Sequence, residues 1–248
     1  MAARPGQPVP DPAHVDRYST AISAARRGGD SSFQNWFDRA ESAEAAVAQG
    51  YWDFAARILT PTVAELLEGR GELHALEIGC GGGRLLNAAC SCFHTVVGID
   101  VHGELDHVDA FLRGLGRTNF RLARTTGDVL SAADASLDFV YSFIVLQHLS
   151  TWADLVSYLE ETHRCLKPDG VAQLYFGRLR SLKRPLLGYE EIDSAVNHLS
   201  LLVSPRRMKR AARSLGFRVV DSGVSHKRGP GGGRRQGAQG YVTLLKHV

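Results

Sequence analysis

The stretch Leu76–Leu86, LEIGCGGGRLL, places four glycines in five positions between an acid and an arginine. Glycine loses more backbone entropy on ordering than any other residue. A cluster this dense marks a turn that needs positive φ, or a ligand pressed against the backbone. A strand-like apolar run precedes it and a helical pattern follows it. Asp100 ends a second apolar run, HTVVGID, 21 residues after Gly79. Strand, glycine turn, helix and an acid at that distance form the arrangement of a nucleotide site. The turn and the helix N-terminus meet the ligand, and the acid accepts ribose hydroxyls. A dinucleotide fingerprint GxGxxG counted from Gly79 needs glycine at position 84, where this chain has Arg84, so NAD-dependent redox chemistry ranks last among the readings.

A hydroxyl nucleophile also needs a proton acceptor. His148, in Gln147-His148-Leu149 after the run LDFVYSFI, is the best-placed base, because strand C-termini face the ligand crevice in open α/β sheets. Its competing role is to hold the loop through a local hydrogen bond. His198 is a weaker candidate for substrate contact, whereas His74, His94, His102 and His107 read as structural or exposed. Arg178, Arg180, Lys183 and Arg184 follow the next strand, where guanidinium forks suit a carboxylate or phosphate. Arg178 is the one favoured for substrate contact; a solvated surface turn is the alternative. The four cysteines show no disulfide or metal-ligand spacing and read as buried, reduced thiols. No metal is expected.

These groups need a frame. With 44% hydrophobic residues in 248, the chain can bury a core without staples. Residues 1–12, rich in Pro and Gly, read as a disordered lead-in. They lack the apolar stretch of a secretory signal, and no run reaches the length of a membrane span. A cytoplasmic protein with no membrane association is the expectation. Residues 13–69 carry helical spacing, with Ser31 and Ser32 as N-caps, Gly50 and Gly69 as stops, and a break or kink at Pro61. Trp36, Phe37, Tyr51, Trp52 and Phe54 suit a core or a lid, and Tyr18 belongs to the same helical region.

From residue 74 short apolar runs alternate with helices, which calls for a mostly parallel sheet with helices on both faces. Ser204 and Pro205 open a helix that stops at Gly216. The last two strands have no helix between them, so they pair antiparallel. Residues 178–203 are the one long excursion, the kind of connection that forms lids and binding loops.

With these elements in order, the chain resembles the class I S-adenosylmethionine-dependent methyltransferases with small-molecule or glycan acceptors. EIGCGGG resembles the family's first motif, GIDV the ribose-binding strand end, Gly127-Asp128-Val129 the adenine-reading motif, and SLDFVYSFIVLQHL the fourth strand. LKPDGVAQLYF resembles the LKPGG turn into strand five, with Asp169 in place of a glycine. The resemblance implies a Rossmann-like sheet of seven strands with the last antiparallel, binding S-adenosylmethionine and releasing S-adenosylhomocysteine. By its motifs, Glu77, Gly79, Cys80, Gly81, Gly83, Asp100, Val101, Asp128, Val129, Ser142 and Phe143 hold the donor. His148 is the candidate base, and Arg178, His198 and Tyr18 are candidate acceptor contacts. The implied domain spans 70–248, under a helical lid of residues 13–69. Glu77 either meets the donor amino group or orients the loop. Arg84 either pairs with the donor carboxylate or is solvated, the latter preferred.

Charge leaves a second reading open. Residues 1–169 hold 14 Lys+Arg against 22 Asp+Glu, a balance of −8, whereas residues 170–248 hold 15 against 4, a balance of +11. That asymmetry suits an anionic partner or a solvated face. The expected acceptor is a small molecule or glycan carrying an anionic group and methylated on oxygen or nitrogen. The alternatives are an RNA methyltransferase using the basic third, and a non-catalytic donor-binding module or partner subunit.

Overall fold

Four helical segments precede the first strand, and their ends follow from local chemistry. The computed structural model describes residues 11–38, 42–127, 129–179, 186–196, 198–228 and 234–247. Helix α1 (Pro12–Arg27) starts at an Asp11 cap whose carboxylate accepts the Ala13 N–H, with Pro12 in the first turn. Asp11 and Pro12 therefore belong to the helix, not to the lead-in; the rest of the expected lead-in lies outside the described residues. The break Gly28–Gly29 separates α1 from α2 (Asp30–Asp38), so Ser31 and Ser32 fall inside α2 rather than capping it. Ser42 caps α3 (Ala43–Asp53), which passes into a π-helical turn, Phe54–Ile58. Thr60 caps α4 (Pro61–Leu67), which places the break at Pro61. Gly50 does not stop α3. It lies buried inside it, where an added Cβ would stand 2.4 Å from the Arg84 carbonyl oxygen, so the glycine permits close packing of two helices.

Strands and helices then alternate: β1 (His74–Ile78), α5 (Arg84–Ala89), β2 (Thr95–Asp100), α6 (Leu105–Gly114), β3 (Phe120–Arg124), β4 (Leu137–Ser142), α7 (Trp152–Cys165) and β5 (Leu166–Gly177). A small hairpin of β6 (Tyr189–Glu191) and β7 (Leu201–Val203) occupies the excursion. Helix α8 (Pro205–Ser214), β8 (Phe217–Arg228) and β9 (Arg234–Lys246) complete the chain. The main sheet has the order β3-β2-β1-β4-β5-β9-β8. Strands β1 to β5 pair parallel, and β9 enters antiparallel between β5 and β8, the sheet the resemblance implied.

Alternation along β1 shows how both faces are filled. Ala75 packs on the face that holds Leu86, Phe139 and Ile58, while Leu76 and Ile78 pack with Leu159, Met208 and Val242 on the other. Strands buried on both faces need such near-continuous apolar runs. Asp169, in the KPDG turn, sits at φ +59°, the left-handed region that glycine favours and aspartate tolerates. The switch of strand order on either side of β1 leaves a crevice at the strand C-termini, where open α/β sheets bind ligands.

Candidate active site

The glycine turn lies at that crevice. Gly79, at φ +72°, could not carry a side chain: a Cβ there would lie 2.2 Å from Val145 Cγ2. Gly81, at φ +51°, has the Phe37 ring against it, 2.8 Å from where its Cβ would be. The turn's amides are largely spent within the protein. Gly79 and Cys80 both donate to the Ile99 carbonyl, at 2.8 and 3.0 Å, and Gly83 donates to that of Cys80. What this turn offers a ligand is close approach of the backbone more than a nest of open N–H groups.

Asp100 holds the turn. Its Oδ2 accepts the Gly81 N–H at 2.8 Å and its Oδ1 the Val101 N–H at 2.7 Å. Oδ1 also accepts the His102 N–H, at 3.4 Å, so Oδ2 is the oxygen that keeps a second lone pair for a hydroxyl donor. Cys80, Val101, Thr125, Gly127 and Phe143 line the same cavity as Glu77, Gly79, Gly81 and Asp100. Burial pushes the Cys80 thiol well up, with Asp100 and Glu77 adding to the shift, so it is an apolar wall and not a nucleophile. Glu77 accepts the Tyr141 hydroxyl at 3.0 Å.

Arg84 is not solvated. It is 6% exposed, lines the cavity, and donates to Asp53 Oδ2 at 2.8 Å. Arg57 donates to the other oxygen of Asp53 at 2.7 Å and to Ser225 Oγ at 2.7 Å. The two guanidinium groups lie 5.6 and 5.8 Å from the Phe143 ring centroid. The two guanidinium groups share the Asp53 carboxylate, and Arg84 brings its cation to a cavity wall that also holds Glu77 and Asp100. The π-turn makes this possible by aiming the Arg57 carbonyl at Gln173 and Tyr175, which both donate to it.

Across the cavity, His148 sits on a short 3-10 turn, Leu146–His148. Its Nδ1 lies 2.7 Å from the His198 carbonyl oxygen, so Nδ1 carries the proton. Nε2 is then the lone-pair nitrogen and accepts from Gln147 Nε2 at 3.1 Å. Burial lowers the imidazole's proton affinity, opposed by the hydrogen bond to His198 and aided by the nearby His14 and His198. The ring is a neutral base at neutral pH. The preceding Ile144 lines the cavity at φ +62°, a strained conformation for a β-branched residue and of the kind that clusters at functional sites.

Helix α1 covers this end. His14 accepts from Arg17 at Nδ1 (3.2 Å), so its Nε2–H donates to the His148 carbonyl, at 2.6 Å. The Tyr18 ring centroid lies 5.8 Å from that of His148. Trp36 and Phe37 line the cavity from α2, Phe54 is core, and Tyr51 and Trp52 face outward.

Other expected residues lie elsewhere. Val129 gives its carbonyl to Thr125 Oγ1 (2.9 Å) and Ser142 is fully buried at the end of β4; neither lines the cavity. Arg178 bridges to Val203 beside β7, and the exposed His198 contributes its backbone carbonyl to His148. Asp128, Arg180, Lys183 and Arg184 lie outside the described residues. Sequence reasoning passed over His14, Asp53, Arg57 and Asp154. Only the i,i+4 spacing of Asp53 and Arg57 carried a signal.

Several features fit the donor that the motifs imply. Gly79 and Gly81 form a cradle that a Cβ would fill, Asp100 Oδ2 has a lone pair to spare, and the Arg84 guanidinium at the cavity wall suits a carboxylate.

Comparison with known proteins agrees. Residues 76–174 match the family described as a methyltransferase domain. The ubiquinone biosynthesis O-methyltransferase of Ruegeria pomeroyi is 30% identical over 158 residues, which is 60% of this chain and 61% of that protein. The chain therefore matches about three-fifths of that relative's length. A solved S-adenosylmethionine-dependent methyltransferase of Methanosarcina mazei superposes with a TM-score of 0.58 at 18% identity, over 77% of this chain and 99% of that one. The [4+2]-cyclase SpnF superposes with 0.61 at 15% identity, over 99% of this chain and all of that one. At such identities the structures speak for the fold alone. By motif order, sheet topology and family match, residues 76–174 match a methyltransferase domain, and the chain carries the class I S-adenosylmethionine-dependent methyltransferase fold.

Proposed function

We propose that the protein transfers a methyl group from S-adenosylmethionine to a hydroxyl of a small-molecule or glycan acceptor. The observation that carries this reading is the cavity that joins the glycine turn and Asp100 to the neutral Nε2 of His148. A methyltransferase relative named for O-methylation supports oxygen as the nucleophile.

When bound, the donor supplies an electrophilic methyl on a sulfonium; everything else falls to the chain. Asp100 would take the ribose hydroxyls, Val101 and Gly127 would border the adenine, and Arg84 with Arg57 would face the carboxylate. His148 holds Nδ1–H on the His198 carbonyl and presents Nε2 to remove the acceptor's proton. To do so it exchanges the Gln147 amide for the acceptor hydroxyl. Positioned bases of this kind contribute roughly 10²–10⁴ in rate. Holding nucleophile and methyl in line supplies up to about 7–11 kcal/mol. Phe143, Ile144, Trp36 and Tyr18 exclude water from the meeting point. Helices α1 and α2 act as the lid.

The test is formation of S-adenosylhomocysteine from S-adenosylmethionine across a panel of phenols, hydroxy acids and glycosides, with wild type and His148→Ala. Turnover with a hydroxyl acceptor that falls at least 10²-fold in the variant supports the reading. A fold shared with a [4+2]-cyclase makes donor binding without turnover the informative alternative: it would leave a donor-binding module.

A further inference from the structure

Helix α8 carries a cationic face that nothing in the fold uses. Between residues 205 and 218 stand six cations and no acid. Arg206, Arg210 and Arg213 are exposed at i, i+4 and i+7, one row along a helix, with Arg218 exposed beyond its end. The opposite face, Met208 and Ala212, is fully buried in the core. Among the described residues, none of Arg206, Lys209, Arg210, Arg213 and Arg218 pairs with a carboxylate. Like charges at i,i+4 repel, so this row works against the helix that bears it.

Two apolar side chains lie beside the row. Leu186 and Leu187 are 106% and 62% exposed, and the next residue, Gly188, accepts the Ser204 N–H that opens α8. On the other flank Arg207 lies over the Trp152 ring at 5.0 Å, and Trp152 stacks on Tyr189. Trp152 begins α7, between Ser150 and Asp154, both of which line the donor cavity. The cationic row, the leucine pair and the cavity wall are therefore neighbours.

We propose that the exposed row of α8, together with Leu186 and Leu187, docks a partner protein through an acidic amphipathic helix beside the cavity. Arginines at i, i+4 and i+7 span about 10 Å at 1.5 Å per residue. Carboxylates repeating every three or four residues on a facing helix match that spacing, and apolar residues at its end cover the leucines. A single-stranded nucleic acid would use aromatic platforms as well as cations. The exposed aromatics among the described residues, Tyr51 and Trp52, stand on α3, and α3 leads into Phe54 and Ile58 on the face of the sheet opposite Met208 and Ala212. The bare leucines offer a phosphate backbone nothing. This inference stands whether or not the cavity transfers methyl groups.

The test is fluorescence anisotropy of the full chain with three probes: a stapled helical peptide bearing a Glu row and terminal leucines, its Glu→Gln counterpart, and a 12-nucleotide oligo(U). The expected result is binding of the acidic peptide that weakens at least about tenfold with added salt. It should weaken as much with the Gln peptide and with the R206E/R210E/R213E variant, and less with L186S/L187S. An unchanged thermal midpoint and circular dichroism spectrum would show that the exposed substitutions leave the fold intact. Tighter binding of oligo(U), lost in the same variant, would overturn the proposal in favour of a nucleic-acid surface. Absence of peptide binding, or binding indifferent to the charge reversal, would overturn it as well.

Discussion

Arg84 and Asp53 are 31 residues apart in the chain, and their side chains meet at 2.8 Å, both 8% exposed. The pair joins α5, the helix after the glycine turn, to the end of α3, so one wall of the cavity is fixed by an ion pair between segments far apart in the chain. Breaking a buried pair by removing one partner costs about 3–5 kcal/mol, because the other charge is left uncompensated. Asp53→Asn removes the carboxylate that the Arg57 and Arg84 guanidinium groups share beside Phe143. Urea unfolding should show a loss of that size; a loss under about 1 kcal/mol would mean that solvent screens the cluster.

As the base of the proposed reaction, His148 would give the activity a pH dependence of definite sign. Burial lowers its pKa from 6.5, so the folded protein holds this proton less tightly than the unfolded chain does. The base is therefore available at neutral pH and lost only as pH falls through a value below 6.5. Stability falls in the same direction, since the unfolded chain takes up the proton first. A kcat/KM profile with an acid limb below pH 6.5, absent from the residual activity of His148→Ala, is the expected outcome. A limb near pH 8 would assign the base elsewhere.

Gly79 tests the cradle. Gly79→Ala forces a side chain into the left-handed region and against Val145. Strain of this kind costs about 1–3 kcal/mol. Urea unfolding should show a stability loss of that size, and calorimetric titration with S-adenosylhomocysteine should show weaker binding where the displaced turn no longer meets the ligand. Undiminished affinity would mean that the turn yields without touching the ligand.

One polar tie holds the start of the lid over His148, while Ser23 on the same helix donates to Glu104. His14→Ala removes the hydrogen bond to the His148 carbonyl, a group worth about 0.5–1.5 kcal/mol. Faster amide exchange confined to α1, with a KM for the donor raised about threefold to tenfold and kcat less affected, would identify α1 as a closing element. Unchanged exchange would mean that the packing of Ile22 and the Ser23–Glu104 hydrogen bond hold the helix without His14.

Much of the fold was legible because it is written locally. The 3.6-residue spacing before residue 70, the alternation of short apolar runs with helices after it, and the missing crossover helix before the last strand are properties of neighbouring residues. Together they determine a mostly parallel sheet with an antiparallel final strand. The glycine turn and Asp100 belong to the same class, since one connection between adjacent strands brings them together. Tertiary structure alone decided the rest. Arg84 is paired and not solvated because Asp53 arrives from another segment. Gly50 is a packing site because α5 crosses it. His148 has its lone pair on Nε2 because the carbonyl of His198, fifty residues on, takes the proton of Nδ1. Ser142 turns away from the cavity because strand register, not motif position, sets the side on which a residue emerges, and Val129, in the connection between β3 and β4, is tied back to Thr125. Which distant charges meet, and which buried polar atoms they satisfy, depends on how the elements stack, and periodicity within one element carries no information about that.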